Sequence, residues 1–129
     1  MNAKRVLVVE DDRDFQRGLV IRLKANGYEV LCATDGVQAI GIARRDKPDL
    51  ILLDIGLPGG DGYVVMDRLR LLNGATTPIL VLSAKDPATH REKALAAGAS
   101  VFFHKPVENH VLLATMRRLL GEPTKPVHA

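Results

Sequence analysis

Apolar residues fall along this chain in two alternating patterns. Short runs with almost no polar interruption occur at residues 5–9, 49–53 and 78–82, where Val6-Leu7-Val8-Val9, Leu50-Ile51-Leu52-Leu53 and Ile79-Leu80-Val81-Leu82 stand together. Runs of this length without alternation predict strands buried on both faces, as in a parallel sheet. Residues 28–33 and 100–103 read as two further strands. Between the strands the period becomes helical. Phe15, Leu19 and Leu23, with Val20 beside them, mark a first helix over about 12–26, with Asp12 as its cap and Asn26-Gly27 as its stop. A second helix opens at Asp35-Gly36, is expected to turn Val37, Ile40 and Ala43 inward, and ends at Lys47-Pro48 because the residue before a proline avoids the helical region. Val65, Leu69 and Leu72 mark a third helix between Asp61-Gly62 and Asn73-Gly74. Asp86-Pro87 starts a fourth, closed by Gly98, and Leu112, Met116 and Leu119 mark a fifth over about 108–120.

Five strand-plus-helix units predict an α/β fold: a single doubly wound (βα)5 domain, residues 1–120, whose five-stranded parallel sheet carries helices on both faces. Periodicity does not read out strand order. A flavodoxin-like order 2-1-3-4-5 is one of the two common arrangements and is the expected one; it sets the ends of strands one and three side by side. Residues 121–129 hold two prolines and no periodicity, and are expected to be a tail or the start of a linker.

Composition adds limits. With 129 residues, 47% of them hydrophobic and 26% charged, the chain suits one globular domain that needs no disulfide. Its one cysteine, Cys32, is expected to be a small buried side chain in a reducing compartment. No apolar stretch has the length of a membrane span or a signal-peptide core, so the expectation is a cytoplasmic chain with no membrane contact. A net charge of +3 spread over several helices, with 4% aromatic residues, suits a mixed solvated surface and not a nucleic-acid interface.

The candidate chemistry lies where the strands end. Strand one is followed by Glu10, Asp11 and Asp12, strand three by Asp54, strand four by Ser83, and strand five by Lys105. In open α/β sheets this carboxyl edge is where ligands bind. Each residue alone has an ordinary explanation as a cap, a turn former or a surface lysine. Together they make an acidic cluster that is stable only with a cation or with retained protons. Hard oxygen ligands with water access suit magnesium, which leaves room for a phosphate oxygen. Such a set suits phosphoryl transfer, with Asp54 as nucleophile, Lys105 paired to a phosphoryl oxygen and Ser83 as hydrogen-bond donor.

At these residues the chain resembles the receiver domain of two-component response regulators. The matching pieces are Val8-Val9-Glu10-Asp11-Asp12, Leu53-Asp54-Ile55-Gly56-Leu57-Pro58-Gly59-Gly60-Asp61-Gly62, Leu82-Ser83-Ala84, Gly98-Ala99 and Lys105-Pro106, an ordered set over nearly the whole chain. The resemblance implies that Asp54 is the phosphoacceptor, that Asp11 binds Mg2+ (or Mn2+) directly and Glu10 through water, and that Gly56 offers its backbone carbonyl to the metal. It implies that Ser83 is the switch hydroxyl with Phe102 as its aromatic partner, that Lys105 contacts the phosphate, and that the bond before Pro106 is cis. A sensor histidine kinase or histidine phosphotransfer protein would be the donor, docking around Phe15. A downstream protein would read the face formed by helix four, strand five and helix five, where His90, Arg91 and Lys93 are candidate reporters. Either a single-domain regulator or a receiver excised from a larger regulator or hybrid kinase fits. Gly56 and Lys85 occupy positions that tune dephosphorylation in this family, and imply a long-lived phosphoryl state. A phosphatase or dehalogenase of the aspartate-nucleophile type would carry a second aspartate where Gly56 stands, and a phosphate-binding loop would need a lysine and hydroxyl that Gly59-Gly60-Asp61-Gly62 lacks. A flavin-binding protein would share the architecture but would not need the acidic cluster with Lys105.

Overall fold

A computed structural model describes residues 3–57, 62–73 and 76–123. Pro58, Gly59, Gly60, Asp61, Gly74 and most of the expected tail, residues 124–129, lie outside the described residues. The elements alternate in the order β1 (Arg5–Val9), α1 (Arg13–Ala25), β2 (Glu29–Ala33), α2 (Gly36–Asp46), β3 (Leu50–Leu53), α3 (Gly62–Asn73), β4 (Ile79–Ser83), α4 (Pro87–Ala96), β5 (Val101–His104) and α5 (Asn109–Leu119). All strand pairs are parallel and the sheet order is β2-β1-β3-β4-β5. This is the flavodoxin-like order, and it sets Val9 of β1 beside Leu53 of β3 at the switch point.

The uninterrupted apolar runs behave as their sequence predicts: every residue of β3 and β4 is buried. Alternate strand residues feed two cores. On one face Leu7, Ile51 and Val81 meet α2, α3 and α4; on the other Val8, Leu52 and Leu80 meet Leu19 and Leu23 of α1 and Leu112 and Met116 of α5. Caps fix the helix starts. The Asp12 side chain accepts from the N–H groups of Asp14 and Phe15, Asp35 from Gln38, and Asp86 from Ala88, each contribution worth about 1 kcal/mol. Gly27 and Gly98 supply the positive φ that ends α1 and α4.

Three expectations need correction. Val37 does not point inward; it is 85% exposed, and α2 packs through Ala39 and Ala43, small enough to bring the helix close to the sheet. Leu72 of α3 is also exposed, and Met66 takes its place in the core beside Val65 and Leu69. Cys32 is exposed, because β2 is the edge strand and its outer face is incompletely covered. α2 ends as expected before Pro48, with Lys47 in the left-handed region at φ 45°. Past α5 the Tyr28 hydroxyl donates to Glu122 Oε1 (2.8 Å), tying the start of the expected tail to the domain.

Candidate functional site

Backbone ladders running one residue past the strands position the site. The Asp54 N–H donates to the Val9 carbonyl (3.0 Å), the Glu10 N–H to Ala33 (3.0 Å) and the Lys105 N–H to Ser83 (2.8 Å). Gln16 of α1 donates to the carbonyls of both Glu10 (3.2 Å) and Ala33 (3.1 Å), fastening the turn after β1. These bonds gather Glu10, Asp11, Asp54, Ser83 and Lys105 at the carboxyl edge of the sheet. Carboxylate oxygens of Glu10, Asp11 and Asp54 lie within 4.8 Å of one another.

Lys105 is the hub. Its ammonium donates to Glu10 Oε1 and to Asp54 Oδ2 (3.1 Å), and it lies 4.2 Å from the centre of the Phe15 ring. The other Asp54 oxygen, Oδ1, accepts from the Gly56 N–H (2.8 Å). Glu10 is buried, and Oε2 accepts from the Asp12 N–H (3.2 Å). Burial pushes the Glu10 carboxyl up to about 7, with the charge of Asp54 adding to the rise; the hydrogen bonds from Lys105 and the Asp12 N–H work in the opposite direction. Burial alone would lower Lys105, but its bonds to the two carboxylates outweigh that and leave it raised. The acidic cluster is thus held by one ammonium and a carboxyl reluctant to ionise, both of the remedies that crowded carboxylates require.

This donor set fits a hard divalent cation. All the candidate side-chain ligands are oxygens, Asp11 is exposed to water, and a 2+ charge would relieve the buried Glu10 carboxylate. Gly56 is exposed, and a side chain there would begin 3.2 Å from Asp54 Oδ1 and 3.5 Å from the Lys85 Cε.

Ser83 is fully buried, and its Oγ accepts from the Lys85 N–H (3.0 Å), leaving the hydroxyl proton free to donate elsewhere. The Lys105–Pro106 bond is cis. Phe102 is buried; the Arg91 guanidinium lies 5.4 Å from its ring centre and donates to its carbonyl (3.3 Å). His90 and Lys93 are not turned toward α5. His90 Nδ1 shares a hydrogen bond of 2.7 Å with the Tyr63 hydroxyl of α3, and Lys93 lies 4.3 Å from the centre of the Tyr63 ring. Sequence reasoning used Phe15 only as an apolar stripe and docking residue. Its place over Lys105 had a faint signal: it lies in the first turn of the helix that opens just after the acidic run, three residues past the Asp12 cap.

A flavodoxin-like parallel sheet with a lysine-bridged acidic cluster at its switch point defines a class of small α/β domains. The response regulator receiver domain family matches residues 6–117, and the chain belongs to that family. It is 44% identical over 125 residues to response regulator MprA of Mycobacterium tuberculosis, an alignment covering 97% of this chain and 54% of that protein. The chain thus spans about half the length of the curated relatives it matches. Among solved structures, a putative response regulator from Chloroflexus aurantiacus superposes with a TM-score of 0.87 at 32% identity, covering 94% of this chain and all of that one. The receiver domain of a Pseudomonas aeruginosa sensor histidine kinase, solved with a magnesium ion coordinated in its active site cleft, superposes with a TM-score of 0.85 at 32% identity and covers 94% and 100% of the two chains. Among the described residues no helix is long and apolar enough to cross a membrane.

Proposed function

We propose that Asp54 is the phosphoacceptor of a signalling switch in a two-component or phosphorelay system, and that residues 1–120 form the switching unit with the following residues as a linker or tail. The observation that carries this reading is the state of the Asp54 carboxylate. One oxygen meets the Lys105 ammonium, the other meets the Gly56 N–H, and Glu10 and Asp11 stand beside it. A carboxylate oxygen of Asp54 forms a bond to the phosphorus of a phosphohistidine as the N–P bond breaks, and the imidazole of the donor leaves. Lys105 neutralises the phosphoryl oxygens, and the Ser83 hydroxyl donates to one of them. Asp11, Asp54 and the Gly56 carbonyl, with Glu10 through water, would hold a magnesium or manganese ion, whose charge would offset that of the incoming group.

The donor is a sensor histidine kinase or a histidine phosphotransfer protein that docks against α1 near Phe15 and the loop after β5. The chain turns over no external substrate; it catalyses only its own phosphorylation and dephosphorylation, at a cytoplasmic location. Phosphorylation acts through contacts that exist in one state and not the other. Because Phe102 already lies in the core and has no hydroxyl, the change passes through packing: Ser83 and its loop shift toward the phosphate, and Arg91 and α4 follow. The reader of the α4–β5–α5 face is a downstream protein, without direct nucleic-acid binding by this domain.

Incubation with acetyl phosphate and magnesium, followed by intact mass measurement beside Asp54→Ala, tests the reading. One phosphoryl adduct on the wild type and none on the variant is expected. No adduct on the wild type would overturn it.

A further inference from the structure

The outer face of α2 and α3 carries apolar side chains that the core does not use. Leu71 is 79% exposed, and Leu72 and Val64 are exposed beside it on α3. The two helices touch closely near their starts, where a Cβ on Gly36 would meet Val65 Cγ2 at 2.6 Å. Toward their C-terminal ends an open groove of about 320 Å³ lies between them, lined by Ile40, Arg44, Arg68, Leu71 and Leu72. A second hollow of about 470 Å³, sharing Arg44 and Leu72, continues it past Lys47 and Pro48 to Thr77.

The chemistry of this surface is one-sided. Three cations, Arg44, Lys47 and Arg68, line it with no carboxylate among the lining residues; Lys47, at its far end, also borders a neighbouring hollow that holds Glu29 and Asp49. Among the described residues none of the three makes an ion pair or a side-chain hydrogen bond. The nearby Asp46 is already paired with Arg45 (3.0 Å). We propose that the α2–α3 groove binds an acidic amphipathic helix of a partner protein. Its apolar side chains lie between Ile40, Leu71 and Leu72, and its carboxylates meet Arg44, Lys47 and Arg68. Charge selects this occupant over the others. A second copy docking through the same face would set arginines against arginines. Residues 124–129 carry no acidic side chain to offer. A concave seam between two helices fits a convex helix better than a flat lipid surface.

The test uses the whole chain and a synthetic peptide of about four helical turns built from Glu, Ala and Leu, with leucines on one face. Two controls are the same composition scrambled off the helical face and the same pattern with Lys in place of Glu. The acidic amphipathic peptide should shift the amide signals of residues 40–47 and 68–72. Both controls, and the double variant Arg44→Glu/Arg68→Glu, should bind about tenfold more weakly or worse. The double variant should keep its unfolding midpoint and its acetyl phosphate labelling, since neither arginine belongs to the Asp54 site. Shifts elsewhere on the domain, equal binding by either control, tighter binding to phosphatidylglycerol vesicles than to the peptide, or self-association lost in the double variant would each overturn the proposal.

Discussion

Replacing Glu10 by glutamine is expected to stabilise the fold at pH 8 in the absence of metal. Lifting a carboxyl from 4.5 to about 7 makes its ionised form about 3 kcal/mol less favourable in the fold than in the unfolded chain, at about 1.4 kcal/mol per pH unit. The sign follows from proton binding. Between pH 4.5 and 7 the folded chain retains a proton that the unfolded chain releases, so the stability contributed by neutral Glu10 is complete below 4.5 and is lost as pH rises through 7. Glutamine is neutral at every pH and escapes that loss. Part of the gain is returned, because its one amide oxygen cannot accept from both Lys105 and the Asp12 N–H, which costs about 1 kcal/mol. Lys105 keeps its bond to Asp54. The net expectation at pH 8 is a gain of about 1–2 kcal/mol, or a rise of roughly 3–8 °C in Tm for a domain of this size. Urea unfolding in EDTA from pH 4 to 9 measures it: the two proteins should coincide in their pH dependence below 4.5 and diverge above it. Added magnesium should stabilise the wild type and leave the variant little changed. A variant less stable than the wild type at pH 8 in EDTA, or a difference independent of pH, would refute the reasoning.

Four other outcomes follow from single contacts. Phe15→Leu removes a ring held 4.2 Å from the Lys105 ammonium, an interaction worth about 1–2 kcal/mol, and should slow acetyl phosphate labelling about tenfold while Phe15→Tyr does not; equal rates would return Phe15 to a packing role. Gly56→Asn starts a polar side chain from a Cβ 3.2 Å from Asp54 Oδ1, close enough for its amide to orient water, and should shorten the lifetime of the phosphoryl group about tenfold by intact mass. Gly62→Ala should cost about 3 kcal/mol in urea unfolding, because its Cβ would stand 2.5 Å from Ile55 Cα, whereas Gly36→Ala meets only the tip of Val65 and should cost about 1 kcal/mol. Tyr28→Phe should cost about 1 kcal/mol at pH 8 through loss of the bond to Glu122. Burial and Glu122 push the Tyr28 phenol up to about 12, so the wild type loses stability as pH rises from 10 through 12, and the gap between the two should close above about pH 11.

Strands and their ends were readable in the chain because their signals are local. A run such as Leu50-Ile51-Leu52-Leu53 has no polar face to misplace, and the residue after it must fall at the carboxyl edge wherever the strand sits in the sheet. This is why Glu10, Asp54, Ser83 and Lys105 could be gathered before any neighbour was known. What could not be read depends on how elements meet. The helical period of α2 is satisfied equally by Val37-Ile40 and by Ala39-Ala43, and only the approach to the sheet decides for the alanines. The exposure of Cys32 follows from β2 lying at an edge, which is a property of strand order. The Phe15–Lys105 and Tyr63–His90 contacts join residues 90 and 27 positions apart, beyond any periodic signal.

The misplaced apolar residues carry their own message. Val37 of α2 and Leu72 of α3 both turn outward, and Leu72 lines the groove with Leu71 and with Arg44 and Arg68, which make no ion pair among the described residues. A single exposed leucine or valine is ordinary, but exposed apolar side chains standing together make a contiguous patch, and such patches mark interaction surfaces. Where a helix spends alanine on its core side and larger apolar residues on its outer side, local pattern and fold disagree, and such disagreements concentrate at functional surfaces. The two proposed sites are therefore legible in opposite ways: the Asp54 cluster because residues read at separate strand ends meet at one sheet edge, the α2–α3 groove because local pattern and packing part there.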